Sequence, residues 1–395
     1  MLNLNHLRHP LRAAAVAKAR IGAYLDVRRA AERIQLRYGA DPRFDLESVP
    51  RGLADRIRAD TPVELASELA MLQRICSAYH KAVEDQSTQP AIYLPTECWQ
   101  QVRIDSLGPV LQALQTWDLH GLRSMYRNLF RDPCSAGLVD MPNGMAKALC
   151  GAAITDLYRR FYLGDALHRI DTWAKQVGNG YSPRNLAGPG IGNPFGIFLD
   201  GTLIQSGAPY QHYCSFKIIR QLISDAAVVA EIGGGYGGMA YYLLRDRPRL
   251  TYLDFDLPES LALTAYYLYK AFPRKALLLY GEQELSRASM QHADILLMPL
   301  FELHKLPQSS VHVSFSSRGI SDLARESLAE CLRILAGSSR DFFFHIGSVQ
   351  AARMLSDEIL RGQLPFRLVE SRASSWYTFK YAQATEVECL YRAGD

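Results

Sequence analysis

The spacing of apolar residues changes about halfway along the chain. Up to residue 176, apolar positions recur every three or four residues and predict helices over 11–38, 62–84, 106–116, 118–131 and 145–176. In the last of these, Leu157, Phe161, Leu167, Ile170 and Trp173 carry the helical spacing. Asp132-Pro133, Met141-Pro142-Asn143-Gly144 and Gly178-Asn179-Gly180 punctuate this half. From residue 228 the apolar runs become short. Val228–Ile232, Leu250–Phe255, Ala276–Tyr280, Ile295–Met298, Val311–Ser316 and Asp341–Ile346 read as strands, and helical patterns follow at about 238–246, 258–271, 321–335 and 349–361. Strands alternating with helices predict a parallel sheet covered on both faces. Phe366–Ser371 and Glu386–Arg392 predict two last strands, with an aromatic stretch (Trp376, Tyr377, Phe379, Tyr381) between them. Residues 178–201, dense in Gly, Pro and Asn, separate the halves as a linker or a functional loop.

Composition narrows the class without naming a function. The chain has 395 residues, 48% apolar and 21% charged, which suits a soluble globular protein of about two domains. It excludes a disordered chain, a fibrous repeat and a disulfide mini-protein. No apolar run approaches the ~20 residues of a spanning helix, so integral membrane association is not expected. Lys18 and Arg20 interrupt the run Ala13–Ala17 before it becomes a signal-peptide core. A net charge of +4 gives no reason to expect nucleic acid as a partner. Residues 1–40 hold eight Lys and Arg against Asp26 and Glu32; this basic helix reads as a solvated face, with an anionic surface or acidic partner as the alternative. Seven widely spaced cysteines without a CxxC suggest a reducing, cytoplasmic setting and no thiolate zinc site.

The most informative stretch is Val228-Val229-Ala230-Glu231-Ile232-Gly233-Gly234-Gly235-Tyr236-Gly237-Gly238. It runs from a strand through glycines into a helix, so the backbone turns sharply and aims free N–H groups at a ligand. Gly233, Gly235 and Gly238 satisfy GxGxxG, the dinucleotide pattern. Glu231, Gly233, Gly235 and Gly237 satisfy ExGxGxG, the first motif of S-adenosylmethionine (SAM) methyltransferases. Glu231 separates the two. A carboxylate beside a pyrophosphate is repulsive by about 4 kcal/mol at 4 Å and an effective dielectric of 20. The ammonium and sulfonium of SAM are instead attracted. Asp256, 23 positions after Gly233, stands where an acid accepts the ribose hydroxyls; Asp254 competes for that role, and capping of the next helix is the alternative for Asp256.

These residues resemble class I SAM-dependent methyltransferases. More narrowly, Glu231–Gly238, Asp256-Leu257-Pro258-Glu259 and Tyr266-Tyr267-Leu268 resemble the sugar O-methyltransferase family found near polysaccharide and natural-product gene sets. Leu122–Phe130 and Ile191-Gly192-Asn193-Pro194 share the likeness, which spans roughly 120–350. It implies a helical N-terminal domain (1–177) that covers the acceptor or mediates dimerisation, a linker (178–201), and a Rossmann-like catalytic domain (202–395) that ends in an antiparallel hairpin. It implies SAM as cofactor, S-adenosylhomocysteine as product, and a sugar-containing small molecule as acceptor, with a homodimer as the assembly. Where the family shows Asn, Ser and Glu-Met after the fourth strand, this chain has Ser316-Ser317-Arg318-Gly319-Ile320-Ser321-Asp322-Leu323. Methylation of a non-sugar product at N or C, an NAD(P)-dependent oxidoreductase, and a binding module without catalysis are the alternatives.

O-methylation needs an aligned hydroxyl and a place for its proton. His345, near the end of the fifth strand, is the first base candidate; His212 is the second, His304 the third, and His312 reads as structural. Arg318 and Ser316 are expected on the acceptor, Arg318 as an anion clamp with a surface ion pair as its alternative. Trp376 and Tyr377 either stack on a sugar or pack in the core. Glu231, Gly233, Gly235, Gly237, Asp256 and Leu257 are expected on the cofactor. Phe301 and Glu302 join them at the adenine if Ile295–Met298 is the third strand; Gly281-Glu282 take that place if Ala276–Tyr280 is. No HxxxH or tight carboxylate–histidine cluster suggests a metal.

Overall fold

The computed structural model describes residues 10–139, 149–150, 154–374, 376 and 386–394. The first half is helical: α1 (Pro10–Tyr38), α2 (Val49–Leu53), α3 (Pro62–Gln86), α4 (Glu97–Val102), α5 (Gly108–Thr116), α6 (Leu119–Tyr126) and α7 (Asp156–Val177). The start of α3 shows how sequence sets such a boundary. Thr61 accepts from the Glu64 N–H, Glu64 returns a bond to the Thr61 N–H, and Pro62 occupies a position that needs no donor. Helix α6 is shorter than expected, because the chain tightens into turns after Tyr126. The break at 141–144 and much of the start of the expected 145–176 helix lie outside the described residues.

The Gly/Pro-rich stretch is packed into the structure on both sides. It contains β1 (Gly196–Leu199), paired with β2 (Thr202–Gln205), and it buries Leu186, Asn193, Phe195, Ile197 and Leu199. Asn193 donates to the Asn128 side chain at 2.8 Å and accepts from the Arg56 N–H at 2.9 Å. The Phe130 N–H donates to the Gly192 carbonyl at 3.1 Å. The motif segments 122–130 and 191–194 thus clasp one another.

Helix α8 (Ala208–Ile219) leads into the sheet. There follow β3 (Val228–Ile232), α9 (Gly238–Asp246), β4 (Thr251–Asp256), α10 (Pro258–Ala271), β5 (Leu277–Leu279), α11 (Arg287–His292) and β6 (Ile295–Pro299). After these come β7 (Val311–Ser317), α12 (Arg325–Ser338), β8 (Ser339–Ser348), α13 (Val349–Arg361), β9 (Phe366–Ala373) and β10 (Glu386–Ala393). The strand order is β5-β6-β4-β3-β7-β8-β10-β9, parallel except for β10, which runs against both its neighbours. This is a mostly parallel Rossmann-like sheet with a C-terminal antiparallel hairpin. β6, not β5, lies beside β4, so Ile295–Pro299 is the third strand of the wound sheet and β5 is an added edge. From β3 the chain passes to β4, then to the edge strand β5, back to β6 between β5 and β4, and from β6 crosses over to β7 on the other side of β3. A crevice outside the carboxyl ends of β3 and β7 follows from that reversal.

Two cores sandwich the sheet. Val229, Tyr252, Val313, Phe315 and Phe344 face α8, α9, α10 and the N-terminal helices in one cluster. Ala230, Leu253, Phe255, Leu296 and Phe343 face α11, α12 and α13 in another. Among the described residues no helix is long and apolar enough to cross a membrane.

Candidate functional site

A cavity of about 340 Å³ opens at the carboxyl ends of β3, β4 and β7. Its floor is the glycine loop. Gly233 has φ +81°, and a Cβ there would lie 2.8 Å from the Gly319 Cα, so the loops after β3 and β7 touch backbone to backbone. A Cβ on Gly234 would strike the Asp254 carboxyl at 2.5 Å. The loop is pinned from beneath: Gly233 N–H donates to the Phe255 carbonyl (3.0 Å), Gly234 N–H to Asp254 Oδ1 (3.0 Å) and Gly235 N–H to Asp256 Oδ2 (3.2 Å). Thr264 on α10 donates to the Gly235 carbonyl at 2.7 Å.

Three acids share the cavity face of the sheet. β3 and β4 pair with Glu231 opposite Asp254, and Asp256 lies two residues on. Glu231 accepts from the Tyr252 hydroxyl at 2.6 Å, and its pKa is pushed up to about 8, chiefly by burial. Asp254 is buried deeper still and is held well above the usual carboxylate range by burial and by its two acidic neighbours. Asp256 sits deep in the protein but opens onto the cavity. Burial pushes it up to about 7, against the bonds it accepts from the Leu257 and Gly235 N–H groups.

The roof comes from the helical half: Leu94, Pro95, Thr96, Cys98 and Trp99 around α4, and Gly137, Leu138 and Val139. Glu259, one residue into α10, holds this roof. It accepts from the Trp99 indole N–H at 2.7 Å and pairs with Arg103 at 2.8 Å. Helix α8 forms a side wall with Tyr210, Gln211 and Cys214. The Tyr210 hydroxyl meets the Ser317 hydroxyl at 2.7 Å, and Gln211 bonds the Tyr236 hydroxyl.

Of the expected site residues, Glu231, Gly233, Gly235, Asp256, Leu257 and Arg318 line the cavity. Arg318 is already engaged. Its guanidinium pairs with Glu386 at 2.7 Å and lies 5.2 Å from the Tyr210 ring centre, and its backbone N–H donates to the Ile346 carbonyl at 2.8 Å. Gly237 lies beneath the loop as the N-cap of α9. Phe301 is buried edge-on to Tyr280, and Glu302 pairs with Lys305 at 2.9 Å; from that loop it is Leu300 that reaches the cavity.

The expected base and acceptor residues need correction. Side chains alternate across a strand, and Phe315 and Ser317 face the cavity. Ser316 and His345, paired across β7 and β8, therefore point to the opposite face. The Ser316 hydroxyl donates to the Ile232 carbonyl (2.9 Å) and accepts from the Ile320 N–H (3.1 Å), so it ties the two loops together. His345 has no exposed surface, and burial pushes its pKa down to about 4. His212 is turned away from the cavity by the ~100° per residue of α8. Its ring accepts from the Trp173 indole N–H at 3.0 Å among Trp173, Tyr181 and Tyr242. Burial lowers its pKa to about 4 as well. His304 is exposed and bonds the Phe301 carbonyl, whereas His312 accepts from the Val228 N–H at 3.0 Å in the structural role expected of it. Trp376 is buried against Tyr210 and Tyr213; Tyr377 lies outside the described residues.

Sequence reasoning missed Trp99, Tyr210, Gln211 and Leu138. Tyr210 and Gln211 neighbour His212 in the sequence, but only the phase of α8 shows that they, and not His212, face the cavity. Among the described residues, no group of three or more His, Cys, Asp or Glu is placed to hold a metal ion.

No family model matches the chain, and no curated protein sequence does. Solved structures overlap part of it. The pyocyanin biosynthetic protein PhzM is 12% identical with a TM-score of 0.31, over 48% of this chain and 56% of its own, so this chain spans little more than half its length. A SAM-dependent methyltransferase from Aquifex aeolicus is 11% identical (TM-score 0.32), over 45% of this chain and 89% of its own. Magnesium protoporphyrin IX methyltransferase (ChlM) from Synechocystis PCC 6803, solved with bound SAM, is 11% identical (TM-score 0.34), over 62% of this chain and 100% of its own. At such identities and scores, the chemistry of this site has to be read from its own residues.

Proposed function

We propose that this protein is a SAM-dependent methyltransferase that methylates a hydroxyl of a sugar or of a glycosylated small molecule. One observation carries the cofactor reading. Two acids, Glu231 and Asp256, lie on one face of two adjacent strands and line the cavity at the glycine loop. Among the described lining residues the one cation, Arg318, is paired with Glu386. Such a crevice repels a pyrophosphate and suits a positively charged nucleoside. The residues fit SAM in shape too: the floor at Gly233 and Gly234 has no room for a Cβ, and Leu257, Leu300 and Leu323 give an apolar wall for a base.

In this reading Glu231 faces the methionine end, Asp256 takes the ribose hydroxyls, and the apolar wall takes the adenine. When bound, SAM supplies an electrophilic methyl group. The chain supplies the rest. Trp99, Leu138 and Val139 close the roof against water. Tyr210, Ser317 and Arg318 form the polar wall that orients the acceptor, and a hydroxyl-rich acceptor suits the Tyr210–Ser317 hydroxyl pair. Among the described lining residues there is no histidine, so alignment rather than an imidazole base carries the acceleration. The sugar acceptor is supported by the resemblance of 122–130 and 191–194 to the sugar O-methyltransferase family.

Thermal-shift titration with SAM, S-adenosylhomocysteine, NAD and NADP tests the cofactor: stabilisation by the first two is expected, and stabilisation by NAD alone would end the proposal. Mass spectrometry of glycoside and sugar extracts incubated with methyl-labelled SAM tests the acceptor. Label appearing only on non-sugar nitrogen or carbon would remove the sugar.

A further inference from the structure

The cofactor reading uses Glu231 and Asp256 and leaves Asp254 without a part. Asp254 has no exposed surface. One oxygen accepts from the Gly234 N–H at 3.0 Å; the other, also buried, has no hydrogen-bond partner. The carboxyl fills the space directly under Gly234, where a Cβ would meet it at 2.5 Å.

Charged groups around Asp254 are all of one sign. β3 presents Glu231 in register, β4 presents Tyr252 and Asp256 on the same face, and β6 places Leu297 opposite. Helix α10 brings Glu259 toward Asp256, already paired with Arg103, and α8 brings the thiol of Cys214 toward Glu231. Arg318, the nearest cation on the cavity wall, is bound to Glu386. An ionised third carboxylate here has only the Gly234 and Phe255 backbone N–H groups as donors and no counter-charge, which is the costly arrangement for a buried charge. A neutral acid in the same place keeps the Gly234 bond and avoids the repulsion.

We propose that Asp254 is a positioning residue that works as an uncharged acid, propping the glycine loop through Gly234, so that the carboxyls available to face a bound cation are Glu231 and Asp256. This rests on the SAM reading for its functional meaning, but the protonation of Asp254 is testable without any ligand. The amide of Asp254→Asn reproduces the neutral acid in size and in its acceptor. Asp254→Ala removes the prop.

The first measurement is chemical denaturation of the ligand-free protein from pH 6.5 to 8.5. A carboxyl protonated in the fold and ionised in the unfolded chain makes the fold lose stability as pH rises. D254N removes that proton from the balance. The ratio of its folding equilibrium constant to that of the wild type is expected to grow about tenfold per pH unit. Parallel pH profiles would mean that Asp254 is ionised in the fold and would overturn the proposal, whatever the ligand proves to be. The second measurement is calorimetric titration with SAM and S-adenosylhomocysteine at pH 7.5. D254N is expected to bind both within about fivefold of the wild type, and D254A to lose about tenfold or more for both, the scale of one buried hydrogen bond. D254N losing SAM but not S-adenosylhomocysteine would show that the charge of Asp254 is sensed by the sulfonium, and would also overturn it. Wild-type protein that binds neither ligand would refute the cofactor reading while the denaturation result still decides the protonation of Asp254.

Discussion

The two faces of the central sheet carry similar residues to opposite ends. On one face, β3 and β4 place Glu231, Asp254 and Asp256 under a cavity roofed by the helical half of the chain. On the other, β7 and β8 place Ser316 and His345 beneath α12 and α13, in an apolar core. The polar residues of both faces are buried. They differ in what lies above them: a glycine loop pinned to the end of β4 and open to the cavity on one side, and packed helices on the other. One residue of strand parity is enough to turn a candidate for chemistry into a strut. Ser316 and Ser317 show this at the shortest range. Ser317 meets Tyr210 on the cavity wall, while Ser316 ties Ile232 to Ile320 behind it.

The contrast can be broken by substitution. The largest effect is expected on the cavity face at Gly233→Val. It forces a side chain into the backbone of Gly319 at a positive φ, and SAM affinity is expected to fall by about a hundredfold or more, measured by calorimetry alongside a circular-dichroism check of the fold. Normal affinity would mean that the cofactor does not use this loop. On the opposite face, His345→Ala is expected to cost about 2–4 kcal/mol of stability in urea denaturation, as a cavity in a packed core does, with SAM affinity and turnover near the wild type. A variant as stable as the wild type with turnover down about a hundredfold would return His345 to the chemistry as a base. The smallest change sharpens the account of the roof. Trp99→Phe keeps an aromatic ring but removes the N–H bonded to Glu259, and the Kd for SAM is expected to rise about three- to tenfold, the scale of one ordinary hydrogen bond. An unchanged Kd would mean that α4 does not close over the cofactor.

Much of the sheet was legible in the sequence because its strands are local signals. Ile295–Pro299 is apolar on both faces, as a strand covered on both sides must be, and Val228–Ile232 is apolar except for Glu231 at its cavity end. The glycine loop and Asp256 were legible for the same reason: their pattern is written in residues within about 25 positions of one another. What was not legible depends on phase and on distant contacts. The histidine candidates were chosen by position near strand ends and by ordinary imidazole chemistry, and burial changes both. Trp99 lines the cavity with its indole bonded to Glu259, 160 residues away. The stretch 178–201 is composed like a linker, yet Asn193 is clamped by Asn128 and Arg56, partners no local pattern announces.

The sequence by itself determined a wound α/β sheet, a glycine loop flanked by acids, and a helical half before it. These follow from periodicity and from charges close together in the chain. Only the tertiary structure decided which face each strand residue serves, which strand lies beside β4, and that the helical half roofs the cavity. Those outcomes depend on how elements far apart in sequence pack, and burial then sets which side chains keep their charge.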